Sequence, residues 1–171
     1  MSTMNVLICQ QPKELVWKQR EIPIPGDNEA LIKIKSVGIC GTDIHAWGGN
    51  QPFFSYPRVL GHEICGEIVG LGKNIANLKN GQQVAVIPYV ACQQCPACKS
   101  GRTNCCEKIS VIGVHQDGGF SEYLSVPVAN ILPADGIDPQ AAALIEPFAI
   151  SAHAVRRAAM APRSEEHTSE L

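Results

Sequence analysis

The chain reads as a mainly β protein with a helical C-terminal stretch, an antiparallel barrel or sandwich followed by one helix. Three observations predict this. Short runs rich in β-branched residues recur between Asn5 and Val128, turn-forming residues punctuate them, and after Asp135-Gly136 the composition turns to alanine. In chain order, Pro23 to Asn28 (PIPGDN) forms the first turn. Ile32 and Ile34 then alternate with Lys33 and Lys35, the pattern of a half-buried strand. Gly48 to Pro52 turns the chain again. Gly70-Leu71-Gly72 reads as a hairpin turn and Asn80-Gly81 as another. Val84 and Val86, interleaved with Ala85 and Ile87 before Pro88, mark a more fully buried strand, and Asp117 to Gly119 supplies the last turn of the β region. Asp138 is placed to cap a helix with Pro139 at its first position. The helix runs to Ala161 with a kink near Glu146-Pro147, where a proline removes a backbone donor.

Composition excludes several functions. Fourteen basic and sixteen acidic residues give a net charge of −2, and no lysine or arginine cluster forms a stripe for phosphates, so nucleic acid is not an expected partner. The chain is 45% hydrophobic with a mean hydropathy of +0.01. It contains no uninterrupted apolar run of about eighteen residues. The first twenty residues lack the basic start, apolar core and small-residue cleavage site of a secretion signal, so the expected location is the cytoplasm. Residues 163–171, RSEEHTSEL, break from the alanine-rich pattern before them and resemble the translation of a sequencing-library adapter. The expectation is a natural chain cut near Pro162 and a non-native tail; without the tail the charges balance at 13 and 13.

Eight cysteines in a reducing compartment call for metal binding or catalysis before disulfides. Five lie between residues 92 and 106. Cys92-x-x-Cys95-x-x-Cys98 followed by Cys106 offers four thiolates in one loop, with Gly101 and Asn104 suited to reversing the chain. Four soft anionic ligands satisfy tetrahedral zinc and leave no position for substrate, which makes the site structural. An iron–sulfur cluster also takes four thiolates. Its ferredoxin-type run, however, closes with Cys-x-x-x-Cys-Pro, whereas here seven residues separate Cys98 from Cys106 and no proline follows. Cys105 rivals Cys106 for the fourth place, and spacing leaves the two equal.

A second constellation is dispersed. Gly38 to His45 reads GICGTDIH at the end of the Ile32/Ile34 strand, and Gly61 to Gly66 reads GHEICG. Cysteine, histidine and carboxylate together form a ligand set that holds zinc while keeping a coordination position open for chemistry. Each piece alone has a plainer reading, because a cysteine ending a strand is usually core and His-Glu pairs arise by chance. Beside the cysteine ladder they become specific.

With Asp117 to Tyr123 (DGGFSEY) and Glu146-Pro147, these segments resemble the zinc-containing medium-chain alcohol dehydrogenases, in particular the sorbitol, threonine and sugar-acid branch. In overall texture the sequence is most similar to bacterial oxidoreductases of L-galactonate and related hexonates. The resemblance covers residues 1–162 and implies a GroES-like β-barrel catalytic domain over residues 1–137. It also implies that residues 138–162 lead into a Rossmann coenzyme domain that the chain lacks. It makes Cys40, His62 and Glu63 ligands of a catalytic zinc, with Glu146 a fourth or exchanging ligand, and Cys92, Cys95, Cys98 and Cys106 ligands of a structural zinc. Zinc would lower the pKa of a substrate hydroxyl as it lowers that of water. Thr42 would hydrogen-bond that oxygen, His45 would pass the proton to solvent, and Asp43 would orient His62 through its free ring nitrogen. The resemblance further implies two zinc ions per chain, NAD or NADP as hydride acceptor, a small alcohol, polyol or hexonate substrate, and a homo-oligomeric full-length protein.

Other candidates have structural readings. Cys9 and Cys65 sit in apolar strand-like runs and read as core. His115 lies in a loop and His153 in the helix. Trp47, Phe53 and Phe54 read equally as a substrate wall or as loop aromatics. No G-x-G-x-x-G turn occurs, since Gly70-Leu71-Gly72 has Ile75 in the third glycine position. The chain alone is therefore expected to show no dehydrogenase turnover. Two rival readings are a stand-alone structural zinc module, which leaves Thr42, His45, His62, Glu63 and Glu146 without a role, and the zinc-free quinone reductases of the same fold, which leave both ligand sets unused.

Overall fold

The computed structural model describes residues 2–52 and 54–159. The inferred tail and the last positions expected to be helical, 160 and 161, lie outside them, as does Phe53. The described chain is mainly β, as the sequence predicts. β1 (Thr3–Gln11) and β2 (Glu14–Glu21) form a hairpin. β3 (Glu29–Gly38) leads directly into helix α1 (Gly41–Gly48). β4 (Arg58–Val59) pairs with β1, completing a three-stranded sheet of order β2-β1-β4. β5 (Glu63–Leu71), β6 (Gln83–Val86), β9 (Tyr123–Pro127) and β10 (Ile131–Pro133) join β3 in a five-stranded antiparallel sheet of order β10-β6-β5-β3-β9. The two sheets are tied where Leu7 N–H donates to the Phe120 carbonyl at 2.8 Å.

Alternation decides which faces are buried. In β3, Ala30 and Ile32 are buried while Lys33 and Lys35 reach solvent. Burying each aliphatic side chain contributes roughly 1.5–3 kcal/mol. Ile32 packs with Ile64, Ile68, Val84, Val86 and Val126 in the main core, and β6 is buried along both valines, as read from its continuous apolar run. Cys9 and Cys65 are both fully enclosed, which agrees with their reading as core.

Two sequence expectations shift. Gly70 and Leu71 do not turn; they continue β5, paired with Leu31 and Ala30, and the chain returns instead through Asn80-Gly81, where Gly81 adopts φ of +83°. Glycine there marks a close approach, since a Cβ on Gly70 would stand 3.3 Å from the Leu31 Cβ. The C-terminal helix is also two helices, α3 (Pro139–Ala143) and α4 (Ile145–Ala158). Asp138 caps the first, accepting from Gln140 and Ala141 N–H at 2.9 and 3.2 Å. The break falls at Leu144, ahead of the expected kink, because restarting there puts Pro147 in the first turn, where its missing N–H costs no intrahelical bond. α3 packs Ala142 and Ala143 against Cys65 and Ala85, which seats α4 beside β5 and β6.

Candidate metal centres

Strand pairing assembles the dispersed site. β3 and β5 run antiparallel with Gly38 opposite Glu63, so Cys40, just past the end of one strand, meets His62 and Glu63 at the start of the other. The ligating atoms of Cys40, His62 and Glu63 all lie within 4.8 Å of one another. His62 and Glu63 are 6% and 7% exposed, too buried for an uncompensated carboxylate to be comfortable. Gly38 makes this possible, because a Cβ on it would collide with the Glu63 carboxylate. Gly61 takes φ of +88°, a conformation glycine adopts freely, and a Cβ there would press on the Phe120 ring at 2.8 Å. These two glycines were legible only as parts of GHE and GIC.

Asp43 is buried at the third position of α1. Its Oδ2 accepts from the Cys40 N–H at 3.0 Å and its Oδ1 from the Gly61 N–H at 2.9 Å. Asp43, expected to orient His62 through its free ring nitrogen, brings Oδ1 to 3.9 Å from His62 Nδ1, an ion-pair distance without a direct hydrogen bond. Asp43 instead fixes the backbone on both sides of the site, because its two oxygens are taken by N–H groups that have no strand partner. His62 Nδ1 is buried with no hydrogen-bond partner. A buried imidazole left short of partners beside a thiol and a carboxylate fits a metal site by the chemistry of its donors. Thr42 is half-buried in the first turn of α1 and His45 is exposed one turn on.

Glu146 does not converge with the three. It lies in the first turn of α4, where its Oε1 accepts from the Tyr89 hydroxyl at 2.6 Å. Burial, first, and then the hydrogen bond to Glu146 push the Tyr89 hydroxyl above its ordinary pKa of 10, and the charges of Cys40 and Glu63 act in the same direction. Tyr89 was not singled out in the sequence, and no spacing signal links it to a residue 57 positions away.

The ladder forms the second centre. β7 (Tyr89–Val90) and β8 (Ser110–Val111) make a two-stranded ribbon from which the loop projects, and helix α2 (Pro96–Lys99) begins just after the second cysteine and carries the third. Cys92, Cys95, Cys98 and Cys106 bring their sulfurs within 4.8 Å of one another. Cys105 is exposed and outside this group, so the structure separates the two rivals that spacing could not. Gly101, at φ of +78°, reverses the chain. Backbone N–H groups of Gln94 and Cys95 aim at Cys92 and pull its thiol down to about 6. Those of Cys98 and Glu107 lower Cys95, while desolvation pushes Cys98 up to about 12. The Cys92 and Cys95 thiolates are thus held by peptide dipoles, and a cation would let Cys98 ionise beside them. The donor set fits zinc.

The other candidates are placed as follows. His115 Nδ1 accepts from the Val111 N–H at 3.0 Å, a loop-bracing role, and His153 lies exposed beside Arg156 at 3.3 Å. Phe54 packs against Tyr56, with ring centroids 6.2 Å apart, and Trp47 is 40% exposed beside Ile39 and Ile44.

A mainly β domain with a four-thiolate loop and a Cys, His, Glu cluster at a strand junction defines a class, and the comparisons agree with it. Residues 26–136 match the alcohol dehydrogenase GroES-like domain, and the chain belongs to that family. It is 99% identical over 162 residues, 95% of its length, to L-galactonate-5-dehydrogenase of Escherichia coli K12, of which it covers 48%. It is 43% identical over 167 residues to an uncharacterized zinc-type alcohol dehydrogenase-like protein of Haemophilus influenzae, covering 96% of this chain and 48% of that protein. The crystal structure of a short chain alcohol dehydrogenase (rspB) from Escherichia coli CFT073, complexed with NADH, superposes with a TM-score of 0.85 at 40% identity, over 92% of this chain and 46% of that one. The chain therefore spans about half the length of the curated relatives it matches. No helix among the described residues is long and apolar enough to cross a membrane.

Proposed function

We propose that the chain is the metal-holding, substrate-activating half of a zinc-dependent oxidoreductase that oxidises a secondary alcohol of a sugar acid or polyol, with NAD or NADP as hydride acceptor. The observation that carries this reading is the convergence of Cys40, His62 and Glu63 at the β3–β5 junction. A stand-alone structural module would need the ladder and not this second, buried set. The domain over residues 1–137 holds both sites, and the stretch after 138 leads toward the coenzyme-binding part. Near identity with L-galactonate-5-dehydrogenase supports a hexonate substrate. The family resemblance supports a cytoplasmic homo-oligomer for the whole protein.

Cys40, His62 and Glu63 would hold the catalytic zinc, and Cys92, Cys95, Cys98 and Cys106 the structural one. When bound, the catalytic ion supplies Lewis-acid polarisation of the substrate hydroxyl. The protein's own groups do the rest. Thr42, at the N-terminal turn of α1 beside Cys40, accepts the hydroxyl proton in a hydrogen bond. His45, exposed one turn along the same helix, is placed to exchange that proton with solvent. Asp43 keeps α1 and the Gly61 turn in register so that the thiol and the imidazole face each other.

Metal analysis of the purified chain tests the reading. Two zinc equivalents are expected, falling to one in Cys40→Ser and to one in a Cys92→Ser/Cys95→Ser double variant. A parent chain holding a single ion that Cys40→Ser leaves in place would overturn the catalytic reading and leave the structural module.

A further inference from the structure

The Tyr89 hydroxyl spans two elements that sequence keeps far apart. Tyr89 opens β7, immediately before the cysteine ladder, and Glu146 sits in the first turn of α4, whose body packs against β5, the strand that begins with Glu63. At 2.6 Å the contact has the length of a hydrogen bond to an ionised carboxylate, the strong kind. The tyrosine ring has its own reason to stay where it is. Although 37% exposed, it lines an apolar groove between β6 and α4 with Val86, Leu132, Ala149 and Ile150, so one side of the ring rests against both elements. Glu146 lies on the rim of the same groove. Tyr89 thus stands within reach of the charges of Cys40 and Glu63 while its hydroxyl engages Glu146, a second carboxylate that the Cys40, His62 and Glu63 cluster does not include.

We propose that Tyr89 is a positioning residue: its hydroxyl holds the Glu146 carboxylate out of the Cys40, His62, Glu63 cluster, so that Glu63 is the resting carboxylate ligand and Glu146 enters only when Tyr89 lets go. The proposal rests on the metal-binding reading of that cluster. It assigns the two acids different roles by geometry. Glu63 is 7% exposed, is cradled by Gly38 and has no alternative partner among the described residues. Glu146 is half-buried and tethered by a single hydroxyl that a substrate or coenzyme group could displace.

Cobalt(II) is the probe, because its thiolate and ligand-field bands report coordination without any turnover. The 171-residue chain is titrated with cobalt, and the bands lost in Cys40→Ser are assigned to this cluster. In Tyr89→Phe those bands are expected to weaken toward a higher coordination number, and the corresponding cobalt to bind on the order of tenfold tighter, the size of effect that second-layer partners exert on metal affinity. Adding Glu146→Gln to Tyr89→Phe should reverse both changes, which a merely structural role for Tyr89 would not produce. Tyr89→Met, which fills the groove without a hydroxyl, should give the same spectrum if the phenylalanine variant folds poorly. Unchanged bands and affinity in both Tyr89 variants, or changes that persist when Glu146→Gln is added, would overturn the proposal. A parent chain with no Cys40-dependent bands overturns the metal reading itself, and the proposal with it. That result is read before any Tyr89 variant is made.

Discussion

Asp43 accepts the backbone N–H of Gly61 at 2.9 Å, and this one bond joins the helix that follows Cys40 to the turn that precedes His62. The same carboxylate accepts the Cys40 N–H, so it spans both ligand-bearing segments from a position 3% exposed. Asp43→Asn keeps the shape but turns one acceptor oxygen into a donor facing an N–H. The variant is expected to hold the Cys40, His62, Glu63 metal about 10- to 100-fold more weakly, the usual cost of losing an outer-layer partner, while the ladder metal is unaffected. Chelator competition that resolves the two ions measures this, and equal weakening of both would show a global effect in its place.

Gly38→Ala is predicted to damage the same site from the opposite side. A Cβ there collides with the Glu63 carboxylate and stands 2.9 Å from the Glu63 Cβ. Neither Glu63 nor β3 can yield easily, because the two residues are directly paired. Overpacking of this kind costs typically about 1–3 kcal/mol, and the displaced carboxylate should also lower metal occupancy. Gly101→Ala is the control. It meets no atom within 4 Å, and its left-handed backbone, at φ of +78°, confines the cost to local strain in the ladder loop. Thermal unfolding with metal analysis distinguishes the two outcomes.

What was legible in the sequence was what periodicity and ligand chemistry encode. Ile32 and Lys33 reveal their faces by alternation, and cysteines at three-residue spacing announce a metal loop before any fold is known. Cys40 and His62-Glu63 were readable as donors, while their meeting depends on Gly38 pairing with Glu63, a register that no local pattern states. The Asp43 to Gly61 bond and the Tyr89 to Glu146 bond were invisible for the same reason. Gly70 misled because glycine serves both a turn and a close backbone approach, and only the neighbouring strand decides between them. Pro147 carries the local signal of a kink, yet the helix starts at Ile145 so that the proline falls in its first turn.

Alkaline pH should destabilise the fold through its enclosed thiols. Burial pushes Cys9 and Cys65 above their ordinary pKa of 9.0, and Tyr56 above 10.0. For each group the native state holds its proton more tightly than the unfolded chain does. Between the unfolded and folded pKa values the unfolded state therefore binds fewer protons, and stability falls with rising pH. The contribution is fully present below about pH 9 and is lost above it. Denaturant unfolding from neutral pH upward should show the decline. In Cys65→Ala it should be shallower, although the variant starts from lower stability because the side chain packs against Ala85, Ala134 and Ala142.

Cys105 and Cys106 offer the sharpest separation of neighbours. Both stand at the end of the ladder, but the Cys106 sulfur accepts N–H bonds from Cys92 at 3.3 Å and Lys108 at 3.4 Å and lies inside the four-sulfur group. The Cys105 side chain points to solvent. Cys105→Ser should leave metal content and unfolding unchanged, within the roughly 0.5 kcal/mol typical of surface substitutions. Cys106→Ser removes one of four thiolates from a site whose ion holds the loop together, since few apolar residues, among them Ala91, Ala97 and Ile109, pack around the sulfurs. Loss of the ladder ion, faster proteolysis between Cys92 and Cys106, and retention of the five-stranded sheet are the expected results. Mass spectrometry after thiol alkylation of the metal-loaded parent provides an independent check. Cys105 should label first and the four ladder sulfurs only once a chelator is added. Rapid labelling of Cys106 before chelation would place the fourth ligand at Cys105 instead.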